Sequence, residues 1–207
     1  MNFDVFNGDA DGILSLLQLR QMEPRKAELV TGIKRDIELV KNIECASLNA
    51  NSKVTVLDIS MEKNIGALKA VLQSKARVFY ADHHRAGDIP ALDNLDAHID
   101  LAPTTCTSLI VDKLLKGRRH LWAITAAYGD NLIQVADSLA QQAELTQQEA
   151  EHLRELGTLI NYNGYGAGIQ DLAFHPAELY KSLLNYASPF DCIEDVHSPY
   201  HVLKAAF

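Results

Sequence analysis

Four short apolar runs in the first 85 residues each end in a polar break, and three are followed by a helical pattern. Asn2 to Phe6, Ala27 to Thr31, Lys53 to Leu57 and Ala76 to Ala81 read as strands, rich in β-branched and aromatic residues. Ile13 to Gln21, Arg35 to Ile43 and Asn64 to Gln73 carry apolar residues at helical spacing. Such βα alternation with short connections demands parallel strand pairing and right-handed crossovers, with helices on both faces. The fold class is therefore α/β, a parallel sheet flanked by helices. In sheets of this kind, sites form in the crevice beyond the carboxyl ends of the strands. Asp9, Asp11, Asp58 and the triplet Asp82-His83-His84 all fall at such ends, on three different strands.

The second half reads differently. Residues 86 to 104 look irregular, with one short strand at Ala97 to Ile99. Thr107 to Leu115, Leu121 to Tyr128, Leu132 to Ala143 and Gln147 to Tyr162 read as helices, the last opened by a Thr146/Glu149 capping box. Gly129-Asp130-Asn131 breaks two apolar helices and exposes another acid. Asn161 to Gly168 is a polar, glycine-rich loop, and a final helix is expected at about Ala177 to Tyr186. Pro199 argues against a helix joining His197 to His201, so no second metal site is expected there. Lys34, Arg35 and the basic cluster Lys116 to His120 read as solvated, and Trp122 as core.

Asp9 and Asp11 are two residues apart and would face one point if the segment is extended. Adjacent carboxylates repel unless protonated or neutralised, and a divalent cation is the usual answer. Asp58 adds a third carboxylate, able to bridge two ions, and His83 a neutral imidazole that Asp82 or a backbone carbonyl can orient. Mixed carboxylate and imidazole ligation suits Mn²⁺, Mg²⁺, Co²⁺ or Zn²⁺ rather than a thiolate-seeking metal. Two ions about 3.5–4 Å apart would polarise a phosphoryl group and activate water. Each acid also has a plainer reading. Asp11-Gly12, Asp58 and Asp130 could each cap a helix, and a His-His pair at a strand end could be solvated.

The charge balance constrains the partner. Lys+Arg of 19 against Asp+Glu of 27 leaves a net charge of −8, which gives no general attraction to nucleic acid or anionic membrane. A nucleotide ligand would need a local cation. Three scattered cysteines (Cys45, Cys106, Cys192) and an N-terminus without a signal-peptide pattern fit a cytoplasmic protein with reduced thiols.

Gly8-Asp9-Ala10-Asp11-Gly12, then Asp58, then Asp82-His83-His84, then Asp130 resembles the four-motif signature of the DHH phosphoesterase superfamily. That group includes RecJ-type exonucleases, oligoribonucleases, cyclic dinucleotide phosphodiesterases and family II pyrophosphatases. The resemblance covers about residues 2 to 160. It implies a hydrolase that cleaves a phosphoester in a nucleotide or short oligonucleotide through a metal-activated water, with two Mn²⁺ ions. Mg²⁺ or Co²⁺ could replace them. It implies Asp9 and Asp58 on one metal, with Asp11, Asp58, His83 and Asp130 on the other. His84 would contact the scissile phosphate, Arg85 and Asn7 would meet the substrate with it, and Asp82 would be a structural support of the catalytic site. Alternatives are a pyrophosphatase-like hydrolase or a non-catalytic metal- or nucleotide-binding module. The latter is suggested by Val5, which stands where relatives carry a ligand histidine. The expected layout is a catalytic DHH domain at 1–165 and a helical extension or linker at 166–207, without the usual C-terminal substrate-binding domain. A homodimer is compatible with the family, and no membrane partner is expected.

Overall fold

The strands obey the period-2 rule that lets one sheet serve two cores. In a computed structural model describing residues 1–207, β1 (Phe3–Phe6), β2 (Glu28–Val30), β3 (Lys53–Leu57), β4 (Arg77–Asp82) and β5 (Leu95–Ile99) form one sheet. Its order is β2-β1-β3-β4-β5 and every pairing is parallel. Phe3, Val5, Val54, Val56, Val78 and Tyr80 point to one face, while Phe6, Leu57 and Ala81 point to the other. Successive side chains along a strand alternate between faces, so both faces are apolar, as a parallel sheet buried on both sides requires.

The first face is covered by α2 (Met61–Gln73) and the segment 39–48, through Leu68, Val71, Leu72, Leu39 and Val40. Val5 lies fully buried in this apolar cluster. The second face carries α1 (Ala10–Met22), α3 (Thr107–Leu114), α4 (His120–Gly129), α5 (Ile133–Gln142) and α6 (Gln147–Asn163). Beyond them come α7 (Pro176–Leu183), α8 (Pro189–Glu194) and α9 (Pro199–Ala206). Leu179, Leu183, Cys192 and Leu203 from these last helices share one core cluster with Ile13, Leu17 and Trp122. Helix α7 therefore packs against α1, and α8 and α9 against α6.

Between β1 and α1 lies a charged patch in the core. Asp4, central on β1, accepts both Arg20 Nε and Nη2 at 2.7 Å, and Arg25 at 2.8 Å. Removing one partner of such a buried pair costs about 3–5 kcal/mol, because the other is left uncompensated.

Two expectations need correction. Arg35 to Ile43 is not an α-helix; it is an irregular segment with a single 3₁₀ turn at Val40–Asn42. Asn64 on α2 supplies the hydrogen bonds that a helix would have made for itself, donating to Ile37 O and accepting from Val40 N. Asp9 and Asp11 do not lie in an extended segment either. Helix α1 begins at Ala10, so Asp9 is its N-cap and Asp11 lies in its first turn. Pro199 starts α9, at the position where its missing N–H costs nothing, and His197 stays outside it, so no helix joins His197 to His201.

The β2-β1-β3 order places a topological switch point between β1 and β3, where the chain reverses its direction across the sheet. Crevices at such points are the usual binding sites of open parallel sheets. Asp9 follows β1 and Asp58 follows β3.

Candidate metal centre

Each donor reaches the crevice by a different local device. Asp9 caps α1, its Oδ1 accepting from Gly12 N at 3.1 Å. Its own N–H donates to Asn7 Oδ1, and Asn7 Nδ2 donates to Lys34 O. Asp11 receives the N-terminus of α3, with Thr107 N and Ser108 N each donating to one of its oxygens at 2.7 Å. Two backbone N–H groups at a helix start form a natural anion cradle, so Asp11 is held rigid. Asp58 turns the chain out of β3 with φ at 59°, a left-handed conformation that Asp tolerates better than most residues. Thr107 Oγ1 donates to Asp58 Oδ1. Asp130 ends α4, followed by Asn131 at φ 62°.

His83 is the hub. Its Nε2 lies 3.4 Å from Asp58 Oδ1, 3.8 Å from Asp11 Oδ2 and 3.9 Å from Asp130 Oδ2. Two donor sets have all their ligand atoms within 4.8 Å of one another: Asp58, His83 and His84, and Asp11, His83 and Asp130. His84 Nδ1 lies 2.8 Å from Asp82 Oδ1. Asp82 is fully buried and its Oδ2 has no partner.

The electrostatics are those of a carboxylate cluster short of cations. Burial, then the charges of Asp11, Asp9 and Asp82, drive the Asp58 carboxyl well above the ordinary range. Burial with Asp11 and Asp9 pushes Asp130 up to about 7. Asp9 is the exception: burial raises it, but the Lys34 ammonium and the Gly12 N–H outweigh that and hold it low. The Asp82 contact raises His84 against an opposing burial effect. Hard oxygen donors with imidazole form the donor set of Mn²⁺, Mg²⁺, Co²⁺ or Zn²⁺. Crowding that raises two carboxyls is what a divalent ion would relieve, so these acidic and histidine groups fit a metal ion.

Asp9, Asp11, Asp58, Asp82, His83, His84 and Asp130 thus come together. Arg85 does not join them as a side chain; it is exposed and contributes only its carbonyl, to Ser60 Oγ and Glu62 N. Asn7 borders the cavity, yet its amide is committed to Asp9 and Lys34.

Two features escaped the sequence reading. Lys34 is not solvated: its ammonium lies 2.8 Å from Asp9 Oδ2 and donates to Asn161 Oδ1 at 2.9 Å. Thr107 and Ser108 hold Asp11 and Asp58, and nothing local in Cys106-Thr107-Ser108 announces it. The only signal was a helix start placed where a parallel sheet presents its loops.

No protein-family model matches the chain, and no curated protein does. Among solved structures, it is similar to exonuclease RecJ bound to manganese, with a TM-score of 0.56 at 16% identity. That match covers 99% of this chain and 61% of the RecJ chain. It is similar also to RecJ from Thermus thermophilus in complex with Mn²⁺, with a TM-score of 0.54 at 16% identity over 99% of this chain and 34% of that one. The chain therefore spans about three fifths or less of the length of these structures. Over nearly its own full length it has the fold of the RecJ exonuclease structures, which is the fold that the resemblance to the DHH superfamily implies.

Proposed function

We propose that this protein is a metal-dependent phosphoesterase that hydrolyses a phosphodiester in a nucleotide or short oligonucleotide. One observation carries the reading: His83 Nε2 lies within 3.9 Å of carboxylate oxygens from three separate elements, at the switch point of the sheet. RecJ structures of the same fold hold manganese, which supports Mn²⁺ as the first ion to try.

Asp11, Asp58, His83 and Asp130 would hold a divalent ion, which would supply Lewis-acid polarisation and lower the pKa of water there. The chain's own groups complete the chemistry. His84 Nδ1–H donates to the Asp82 carboxylate, which favours the protonated imidazolium, and in that form the Nε2–H of this cavity-lining residue is free to donate to a phosphate oxygen as charge develops. Asp82 touches no substrate in this scheme; it holds the rotamer of His84 and stabilises its charged form. The Lys34 ammonium adds positive charge on the Asp9 side.

Size supports a nucleotide over pyrophosphate. The cavity between Asp9, Lys34, Asp58, His83, His84 and Asp130 is about 140 Å³, room for one phosphoryl group and a few waters at about 30 Å³ each. A larger groove of about 630 Å³ adjoins it, lined by Tyr128, Arg154, Tyr162 and Tyr165 and bordered by Gly129 and Asn131, the neighbours of Asp130. Tyr162 and Tyr165 are exposed, and their rings lie 6.3 Å apart. Exposed aromatic faces suit nucleobase stacking, worth about 1–3 kcal/mol per base, and have no use for pyrophosphate.

The test is product analysis with Mn²⁺ on two- to five-residue oligonucleotides beside inorganic pyrophosphate. Mononucleotide release that stops with chelator is the expected result. Pyrophosphate cleavage alone would move the assignment to a pyrophosphatase, and no Mn²⁺-dependent cleavage of any phosphoester would sink it.

A further inference from the structure

Lys34 occupies ground that a second metal ion would need. Asp9 accepts the Gly12 N–H on Oδ1 and pairs Oδ2 with the Lys34 ammonium, a full positive charge, whereas the oxygens of Asp11 meet only neutral backbone N–H groups. Both candidate donor sets contain His83, and neither contains Asp9. We infer that the centre holds one divalent ion per chain, with the Lys34 ammonium serving as the fixed second cation beside Asp9. This rests on the metal-dependent reading above and gives it a stoichiometry.

The placement of Lys34 is built rather than incidental. Its backbone N–H donates to Gly164 O at 2.9 Å and its carbonyl accepts from Asn7 Nδ2 at 3.0 Å. Its ammonium donates to Asn161 Oδ1, and the Tyr165 ring centroid lies 5.4 Å away. The loop behind it is pressed onto the first acidic motif. A Cβ on Gly8 would meet Gly32 O at 1.8 Å, so only glycine at position 8 permits that approach. Four elements therefore converge to hold one ammonium: the turn after β1, the segment after β2, the end of α6 and the loop beyond it.

The charge count agrees. Asp9, Asp11, Asp58 and Asp130 crowd the cavity, while Asp82 is paired with His84. One ammonium and one divalent ion offset three of the four carboxylates without a second ion. The ammonium is also permanent, so it would keep Asp9 satisfied in the ion-free protein, unlike Asp58 and Asp130. A lysine beside the cavity can donate to a phosphate oxygen as well, standing in for the Lewis acid that a second ion would provide.

The experiment is Mn²⁺ titration of the full chain by calorimetry, read together with the electron paramagnetic resonance spectrum of the loaded protein. One Mn²⁺ per chain with the six-line spectrum of an isolated ion is expected. Two ions per chain with an exchange-coupled spectrum would overturn the inference while leaving the phosphoesterase reading intact. No binding at all would overturn that reading first, and this one with it. Lys34→Ala is expected to admit a second equivalent of Mn²⁺, whereas Lys34→Arg keeps the charge and should stay at one. Should Lys34→Ala not fold by circular dichroism, Lys34→Gln retains hydrogen bonding without charge and should likewise gain the second equivalent. A folded, uncharged variant that binds one ion with unchanged affinity counts against the assignment.

Discussion

Asp58 carries three burdens at once: a left-handed backbone at φ 59°, near-complete burial and three neighbouring carboxylates. A non-glycine residue in that conformation costs on the order of 1–3 kcal/mol, and its charge is uncompensated until a cation arrives. Asp58 and Asp130 have folded-state pKa values raised above the 3.8 of an ordinary carboxyl, Asp130 to about 7. The folded, ion-free protein therefore binds more protons than the unfolded chain, and the stability these groups contribute is lost as pH rises from about 4 through about 7. Asp9 runs the other way, since its depressed value contributes stability above 3.8 that is lost only in stronger acid. In chelator, the melting temperature should fall between pH 5 and 7.5, Asp130→Asn should flatten the fall, and Mn²⁺ should remove most of it. A melting temperature that climbs over this range without ions would contradict the cluster as described. His84 makes a separate prediction. It lies half-exposed at the cavity, so His84→Ala should lower kcat by about 10²–10³-fold, the usual cost of losing one donor to a developing oxyanion, with the melting temperature nearly unchanged. These two residues divide what a sequence reveals. The acids and histidines were legible because strand ends gather polar groups in any parallel sheet. The reason Asp9 and Asp11 face together was not, because the cap-and-first-turn geometry of α1 looks like a polar loop when only the residues are read.

At the scale of elements, the centre depends on how closely α4 and α6 cross. A Cβ added to Gly157 would meet Thr125 O at 2.1 Å and Gly129 N at 2.9 Å, backbone atoms that cannot step aside. Two glycines facing each other thus set the depth at which α4 delivers Asp130 and α6 delivers Asn161. Gly157→Ala should push the helices apart at a cost of about 1–3 kcal/mol, as overpacking usually does. That is a loss of about 2–12 °C in a chain of this size. Mn²⁺ affinity should fall with it, because Asp130 moves with its helix. Calorimetric titration of the folded variant checks this, and unchanged affinity alongside a lowered melting temperature would separate packing from site geometry. Helix α6 itself was readable from Thr146 and Glu149, whose reciprocal capping hydrogen bonds are present. Segment 35–43 was misread because its apolar residues do recur at helical spacing. They recur to fill the space over α2, with Asn64 supplying the hydrogen bonds from outside. Periodicity reports which residues are buried, and a helix is only one way to bury them.

The whole molecule sets how it can meet a polyanion. With a net charge of −8, the protein repels a long nucleic acid everywhere except where a few cations converge. The positive groups around the centre are few: Lys34 beside Asp9, Arg154 in the adjoining groove and Arg35 at its outer edge, where its guanidinium donates to Gly166 O and Ala167 O. The helices that complete the second face, α7 to α9, add core rather than a basic surface, since their apolar residues turn inward against α1, α4 and α6. A helical extension was one reading of this stretch, but the individual helices past Tyr186 were not placed from the sequence, because each opens with a proline that also serves as a loop signal. A nuclease that tracks a long strand neutralises many phosphates, and its apparent affinity then falls steeply with salt, by roughly 0.7 log units per phosphate contact per log unit of salt for single strands. Here one or two phosphates have cationic partners, so the slope of log kcat/KM against log salt should be about −0.7 to −1.4. Lengthening the substrate beyond two or three residues should neither steepen that slope nor lower KM. Steady-state kinetics on two-, five- and twenty-residue single strands from about 50 to 300 mM potassium chloride measure both. A slope that grows with length to about −4 or beyond would mean a basic track that this surface does not possess, and would shift the substrate from short oligonucleotides to polymers.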